Sequence, residues 1–215
     1  MIIAIDGSAA SGKGTLAKQL AADFGYDYLD TGALYRAVAL SLLNAGANSH
    51  NFDEKQVVSA VSTLDLSLTQ TAEIRTDKVA ALASIVAAIG PARAKLLSLQ
   101  RGFAAAPPSG KGAVLDGRDI GTVVLPDADL KFFIDADLDI RAERRTKELI
   151  QAGQSVMFRD VLEDMKARDD RDRTRSVAPL KAADDAITID TSNMGATAVL
   201  ALVLSHIDRI CPSEQ

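Results

Sequence analysis

The stretch Ile2-Ile3-Ala4-Ile5-Asp6-Gly7-Ser8-Ala9-Ala10-Ser11-Gly12-Lys13-Gly14-Thr15-Leu16 decides the fold. Ile2 to Ile5 is a continuous apolar run, the pattern of a parallel strand covered on both faces. It passes through Asp6 into Gly7, four residues, then Gly12-Lys13, which is the spacing of a phosphate-binding loop. The hydroxyl comes one place later than in the general G-x-x-x-x-G-K-[ST] pattern, because Gly14 stands between Lys13 and Thr15. Glycines let the backbone turn until successive N–H groups face phosphate oxygens, and Lys13 adds a positive charge. A helix beginning at about Ser11 places its positive end beneath the anion, and Thr15 is left to meet the Mg²⁺ that accompanies a nucleoside triphosphate. The alternative is an ordinary Gly-rich strand-to-helix turn. Motif, preceding strand and following helix agree on the phosphate loop.

Working outward, Leu16, Leu20 and Phe24 recur every fourth position and give one buried helical stripe, which Gly25 ends. Tyr26 to Asp30 reads as a second strand, and Thr31-Gly32 opens a helix with Leu34, Val38 and Leu42 inward until Asn44-Ala45-Gly46. That alternation is α/β. It is interrupted after residue 46 by a helix carrying Val57, Val58, Val61 and Leu64, a weak strand Leu64 to Leu68, and helical stretches over Asp77–Ile89 and Pro91–Ala104. Residues 47–104 therefore read as a largely helical insertion. The apolar-strand pattern resumes at Ala113-Val114-Leu115-Asp116 and again at Lys131–Asp135 and Ala186–Asp190. Between them come a helix over Leu138–Gln151 with a basic exposed face and a highly charged helix over Phe158–Arg175; the last helix carries Val199, Leu202, Val203, Ile207 and Ile210, with His206 at its core edge.

The chain of 215 residues, 47% hydrophobic, suffices for one large or two small domains. A net charge of -5 argues against bulk nucleic-acid binding and leaves local basic clusters to meet small anions. The single cysteine, Cys211, excludes an intramolecular disulfide, and with two histidines there is no His/Cys zinc cluster to expect. No basic leader precedes Ile2, and the longest apolar stretch, Val79–Ile89, is too short to span a bilayer. The expectation is a soluble cytoplasmic protein with no membrane partner.

Three further constellations carry chemistry. Asp116-Gly117-Arg118-Asp119-Ile120-Gly121-Thr122 follows a strand end that a parallel sheet places beside the first loop. There Asp116 suits a water-mediated Mg²⁺ partner, Arg118 a phosphate, and Asp119 an exocyclic amine such as cytosine N4; a self-contained turn salt bridge is the alternative. In Arg168-Asp169-Asp170-Arg171-Asp172-Arg173-Thr174-Arg175, Arg168, Arg171 and Arg175 share one helical face, and interleaved aspartates keep that helix folded without a ligand. Such a run is either a solvated, salt-bridged helix or, beside a phosphate loop, an arginine lid. Asp30-Thr31-Gly32-Ala33-Leu34-Tyr35-Arg36 is a helix entrance with a hydroxyl and an arginine suited to a second phosphate, although Arg36 alone reads equally as a surface cation.

Asp30 to Arg36, Asp116 to Thr122 with Val123-Val124-Leu125-Pro126-Asp127-Ala128, and Arg168 to Leu180 together resemble the bacterial cytidylate kinases over nearly the whole chain. The Gly-Lys-Gly-Thr ending of the loop fits that family. The resemblance implies a P-loop NTPase three-layer sandwich: a five-stranded parallel core (1–46, 105–155, 177–215), a monophosphate-binding insertion (47–104) and a short lid (156–176). It implies Mg²⁺-dependent transfer of the γ-phosphate of ATP to CMP or dCMP by a monomer, with ATP on Gly7 to Thr15. Ser84, Arg93 and Asp119 would read cytosine; Thr31, Arg36, Arg118 and Arg175 would surround the acceptor phosphate; Arg168 with Asp172 would hold the ribose. Lys13, Arg118, Arg168, Arg171 and Arg175 would neutralise the migrating phosphoryl group. Two features depart from the family pattern: the segment between Leu64 and Arg75 is short, and Ala10-Ser11 replaces the usual Gly-Ala. Rival readings are a UMP, AMP or shikimate-type kinase and a non-catalytic ATP-binding module.

Overall fold

A computed structural model describes residues 1–47 and 51–210, so Cys211 lies outside the described residues. Strands β1 (Ile2–Gly7), β2 (Asp27–Asp30), β3 (Ala113–Gly117), β4 (Leu130–Asp135) and β5 (Ile187–Asp190) form one sheet in the order β2-β3-β1-β4-β5. Every pair is parallel, with Ile5 opposite Asp116 on one side and Phe132 on the other. Helices cover both faces, which is why the central strands are apolar without alternation. On one face α1 (Lys13–Phe24) and α8 (Ala196–Ile210) bury Leu16, Leu20, Val203 and Ile207 against Ile3, Ile5, Phe132 and Ile134. On the other, Ala104 of α5 (Gly90–Ala105) meets Ala4, Leu115, Ile120 and Val124. Each large apolar side chain so buried contributes about 1.5–3 kcal/mol.

Helix α2 (Thr31–Asn44) starts where the Asp30 carboxylate accepts from the Ala33 amide at 2.9 Å. It buries more than the expected stripe: besides Leu34, Val38 and Leu42, Ala33, Ala37, Ala39 and Leu40 are buried. The reason is that α2 is enclosed by α3 (Glu54–Ser62), α4 (Asp77–Val86) and α5, whose Val57, Val61, Leu82, Val86 and Leu96 share one core with it. Among the described residues no single helix is long and apolar enough to cross a membrane.

Three local expectations are corrected. No strand forms over 64–68; two short 3-10 helices, Leu66–Gln70 and Ala72–Arg75, take that segment. The Asp65 carboxylate accepts from the Ser67 amide at 2.9 Å, a local bond that closes a turn before any strand partner is met. The exposed face of α6 (Leu138–Gln151) is not basic. Arg141 is 3% exposed, and Arg144 turns back to donate to the Thr191 carbonyl at 2.6 Å and its hydroxyl at 3.1 Å. Helix α7 (Phe158–Thr174) forms over the charged run as expected, but Asp169 and Asp172 pair with Arg141 and Arg118 on other elements, not within the helix.

Candidate active site

The strand order reverses at β1, so the carboxyl ends of β1 and β3 open a crevice, and the loop Gly7–Thr15 lies there. At Gly7 (φ 150°) a Cβ would stand 1.9 Å from the Ile134 carbonyl oxygen, so only glycine lets β1 lie against β4 and then turn. Gly12 at φ 92° caps α1, which begins at Lys13, two residues later than the sequence suggests. Ala10 takes φ 56°, a strain of about 1–2 kcal/mol. With Ala9 it packs against Ala142, Leu149, Val161 and Met165 of α6 and α7. Lys13 is buried and held: its Nζ donates to the Ser8 carbonyl at 3.2 Å. Burial, then Arg118, lowers the Lys13 pKa to about 7, with Asp116 opposing.

Asp116, at the end of β3, accepts from the Tyr28 hydroxyl at 2.8 Å through Oδ1, while Oδ2 faces Gly14, where a Cβ would be 3.6 Å away. Burial, then Asp30, raises its pKa. Thr31 donates to the Asp116 carbonyl at 2.8 Å, and Arg36 donates to Asp30 at 2.6 Å, its Nε having no partner. Arg118 donates to Asp172 at 3.0 Å, and Ser84 donates to the other oxygen of Asp172 at 3.2 Å. Burial would raise Asp172, but Arg118, Arg168 and Arg175 outweigh it and hold the carboxyl below its ordinary range. Arg168, lowered to about 10 by burial and then Arg118, keeps its Nε unpartnered.

Asp119 stands between two guanidiniums: Arg93 hydrogen-bonds one carboxylate oxygen, and Arg175 donates to the other at 3.4 Å. Burial raises its pKa against the pull of both. The π-helical turn Ile120–Val124 that follows is anchored by Asp6, which accepts from the Ile120 amide at 2.7 Å and the Gly121 amide at 2.8 Å.

Most of these groups meet in one cleft of about 630 Å³. Its wall carries Ala9, Ala10, Gly12, Lys13, Gly14 and Thr15 of the loop, together with Thr31, Arg36, Ser84, Arg93, Asp116, Arg118, Asp119, Arg168, Arg171, Asp172 and Arg175. Gly7, Ser8 and Ser11 lie behind that wall; both serines are fully buried with unpartnered hydroxyls. Sequence reasoning passed over Tyr28, Arg75, Arg141 and Arg145. Arg145 reaches from α6 to Asp77 at 2.7 Å and to the Arg75 carbonyl at 3.3 Å, tying the start of α4 to α6. Arg141 and Arg145 are four residues apart on one face, a spacing that contained the signal, but α6 has too few apolar residues for its inner side to be evident.

A phosphate loop at the switch point of a parallel sheet, facing an arginine-lined wall across one cleft, defines a P-loop kinase of the nucleoside monophosphate kinase fold. A family model for cytidylate kinase matches residues 3–209. Cytidylate kinases of Paramagnetospirillum magneticum and Rhodospirillum rubrum are each 51% identical, over 96% and 95% of this chain and 97% and 95% of their own. The crystal structure of an uncharacterized protein from Eubacterium ventriosum superposes with a TM-score of 0.53 over 97% of this chain and 98% of that one; at 18% identity the likeness is one of fold. The chain belongs to the cytidylate kinase family.

Proposed function

We propose that Gly7–Thr15 hold the triphosphate of ATP while CMP or dCMP lies between the insertion 47–104 and the sheet edge, under a lid formed by 156–176, in a monomeric enzyme. The reaction is the ATP-dependent phosphorylation of CMP. The observation that carries the site assignment is the lining of this cleft, which holds Lys13 together with a buried carboxylate, Asp119, bracketed by Arg93 and Arg175. A carboxylate accepts from the N4 amine of cytosine and repels the O4 of uracil. Ser84 and Arg93 complete the base end; Thr31, Arg36, Arg118 and Arg175 face the acceptor phosphate, and Arg168 and Asp172 the ribose.

The residues beside the loop fit Mg²⁺. Asp116 presents one oxygen held by Tyr28 and another toward Gly14, and Thr15 adds a hydroxyl. A hard cation that keeps several waters and leans on substrate phosphates needs no larger protein cage. When bound, Mg²⁺ supplies charge neutralisation at the phosphates. The protein's own part is positioning and charge in an in-line transfer that needs no covalent intermediate. Phosphate oxygens entering the loop replace the Ser8 carbonyl as partner of Lys13 and restore its charge. On the acceptor side the arginines now paired to Asp30, Asp119 and Asp172 exchange those carboxylates for phosphate, and arginine contributions to such transfers are about 10³–10⁵ in rate. Closure of the lid excludes water and suppresses ATP hydrolysis.

Steady-state ADP formation with ATP, Mg²⁺ and a panel of CMP, dCMP, UMP and AMP tests this. CMP and dCMP should stimulate strongly and UMP weakly; absence of stimulation by CMP defeats the reading.

A further inference from the structure

Arg141 stands where the phosphate loop, the end of β4 and α7 meet. Its Nη2 lies 2.7 Å from Asp169 Oδ2, its Nη1 donates to the Ala9 carbonyl at 3.4 Å, and its Nε donates to the Ala136 carbonyl at 2.8 Å. Arg141 is 3% exposed and Asp169 7%, and neither is part of the cleft wall. The pair is therefore out of water and out of reach of a nucleotide in the cleft. As a stabilising device it is a poor choice, because desolvation offsets most of the attraction, and apolar residues of similar volume serve as well or better. As a mechanical link it is well made, because a planar guanidinium joins partners in fixed directions.

What it links is informative. Ala9 belongs to the loop, and Asp169 follows Arg168 directly and precedes Asp172 by one helical turn, both of which face the cleft. A second connection, apolar and independent of the first, involves the same two elements: Ala9 and Ala10 pack against the cluster that holds Val161 and Met165 of α7 together with Ala142 and Leu149 of α6. Asp169 also keeps one fully buried oxygen, Oδ1, without any partner, so a small shift of Arg141 or α7 has an acceptor ready to engage.

We propose that the Arg141–Asp169 pair couples the phosphate loop to α7, so that occupation of the donor site sets the position of the arginines that close on the acceptor. These are positioning residues. Phosphates drawn into the loop shift the Ala9 carbonyl and its hold on Arg141, and Asp169 carries the change to Arg168 and Asp172. By linkage the effect is reciprocal: each nucleotide tightens the other by the same factor. The inference rests on reading Gly7–Thr15 as the donor site and α7 as the closing element.

The test is calorimetric binding of CMP with and without Mg²⁺ and the β,γ-imido analogue of ATP. It uses the native sequence, the double variant Arg141→Met/Asp169→Leu, and Asp169→Asn. The native protein should bind CMP about five-fold or more tighter with the analogue present. In the double variant that ratio should fall to within about two-fold of unity while CMP alone binds as before, and Asp169→Asn should give a smaller ratio than the native protein. Circular dichroism and melting curves establish that each variant is folded. Should the double variant not fold, the near-isosteric Asp169→Asn decides alone. A ratio of one in the native protein, or an unchanged ratio in the folded variants, overturns the coupling; so does a common loss of affinity for both nucleotides with the ratio preserved, which is what a merely structural pair would give. Failure of the native protein to bind CMP or the analogue at all would instead overturn the functional reading beneath it.

Discussion

Replacing Asp119 by Asn tests base recognition most sharply. Asp119 is 5% exposed, and its two oxygens are divided between Arg93 and Arg175. Asn has nearly the same shape, so the π-helical turn after it keeps its packing, but one acceptor oxygen becomes an NH₂ donor and the negative charge between two guanidiniums is removed. Opposite cytosine N4 the carboxylate is the correct partner; opposite uracil O4 the amide is. A donor–acceptor mismatch of this kind is worth about 1–3 kcal/mol, which is about 5- to 150-fold in relative rate. Stability also falls, by less than the roughly 3–5 kcal/mol expected when a buried ion pair loses one partner outright, because the amide oxygen still accepts from one arginine. Rates are therefore compared well below the melting temperature. The assay is ADP formation at saturating ATP with CMP and UMP varied separately, and the quantity is the ratio of the two kcat/KM values. That ratio should drop by about 5- to 150-fold, through loss with CMP and retention or gain with UMP. A parallel fall for both substrates, leaving the ratio unchanged, would refute the placement of the base against Asp119. The native enzyme provides an internal control. Burial raises the Asp119 pKa, so lowering the pH converts the carboxylate to an acid that can donate, and discrimination against UMP should weaken in acid.

Lys13→Ala should lower kcat/KM by about 10²–10³ with no loss in melting temperature, since a buried ammonium whose pKa burial lowers to about 7 costs folding stability at neutral pH and does not add to it; full activity would remove the loop from the mechanism. For the same reason ATP affinity should fall as pH rises through about 7, and binding near pH 8 should take up a proton, measurable by calorimetry in buffers of different ionisation enthalpy; binding without uptake would contradict it. Asp6 has its pKa raised from 3.8 to about 7, chiefly by burial, so its contribution to stability is full below 3.8 and is lost as pH rises through about 7. Asp6→Asn should flatten the unfolding free energy between those limits, and an unchanged slope in denaturant titrations would refute the assignment. Ile74, 0% exposed in the second of the short 3-10 helices, seats that segment in the α2 core, and Ile74→Ala should cost about 2–5 kcal/mol in urea unfolding with an unaltered m-value.

The strands and most helices were legible because their signals are local and short-ranged. An apolar run buried on both faces announces a parallel strand, and Gly12 and Gly25 punctuate α1 at the two points where the backbone turns left-handed. The segment over 64–68 was not legible, since Leu64, Leu66 and Leu68 alternate like a strand while Asp65 makes the turn that forbids one. The inward course of Arg141, Arg144 and Arg145 escaped notice for a different reason. Charged residues usually face solvent, and only the juxtaposition of α6 with the loop, Thr191 and α7 supplies the carbonyls and carboxylates that make burial tolerable.

The candidate residues divide in the same way. Gly7 to Thr15 could be recognised from spacing, because a phosphate loop is built from consecutive backbone groups. Ser84, Arg93, Asp119 and Arg175 come from four separate segments, and their assembly in one cleft is a tertiary fact. By itself the sequence determined the α/β class, the phosphate loop and, through resemblance, the family, since these rest on residues close in the chain or on patterns along it. The tertiary structure alone decided which carboxylate holds which arginine, that Lys13 is buried and Asp119 bracketed, and that Arg141 joins the loop to α7. Charge pairing acts here between groups as far apart in the chain as Arg145 and Asp77, and the bond from Arg141 to the Ala9 carbonyl spans 132 residues, so only the fold brings these partners together.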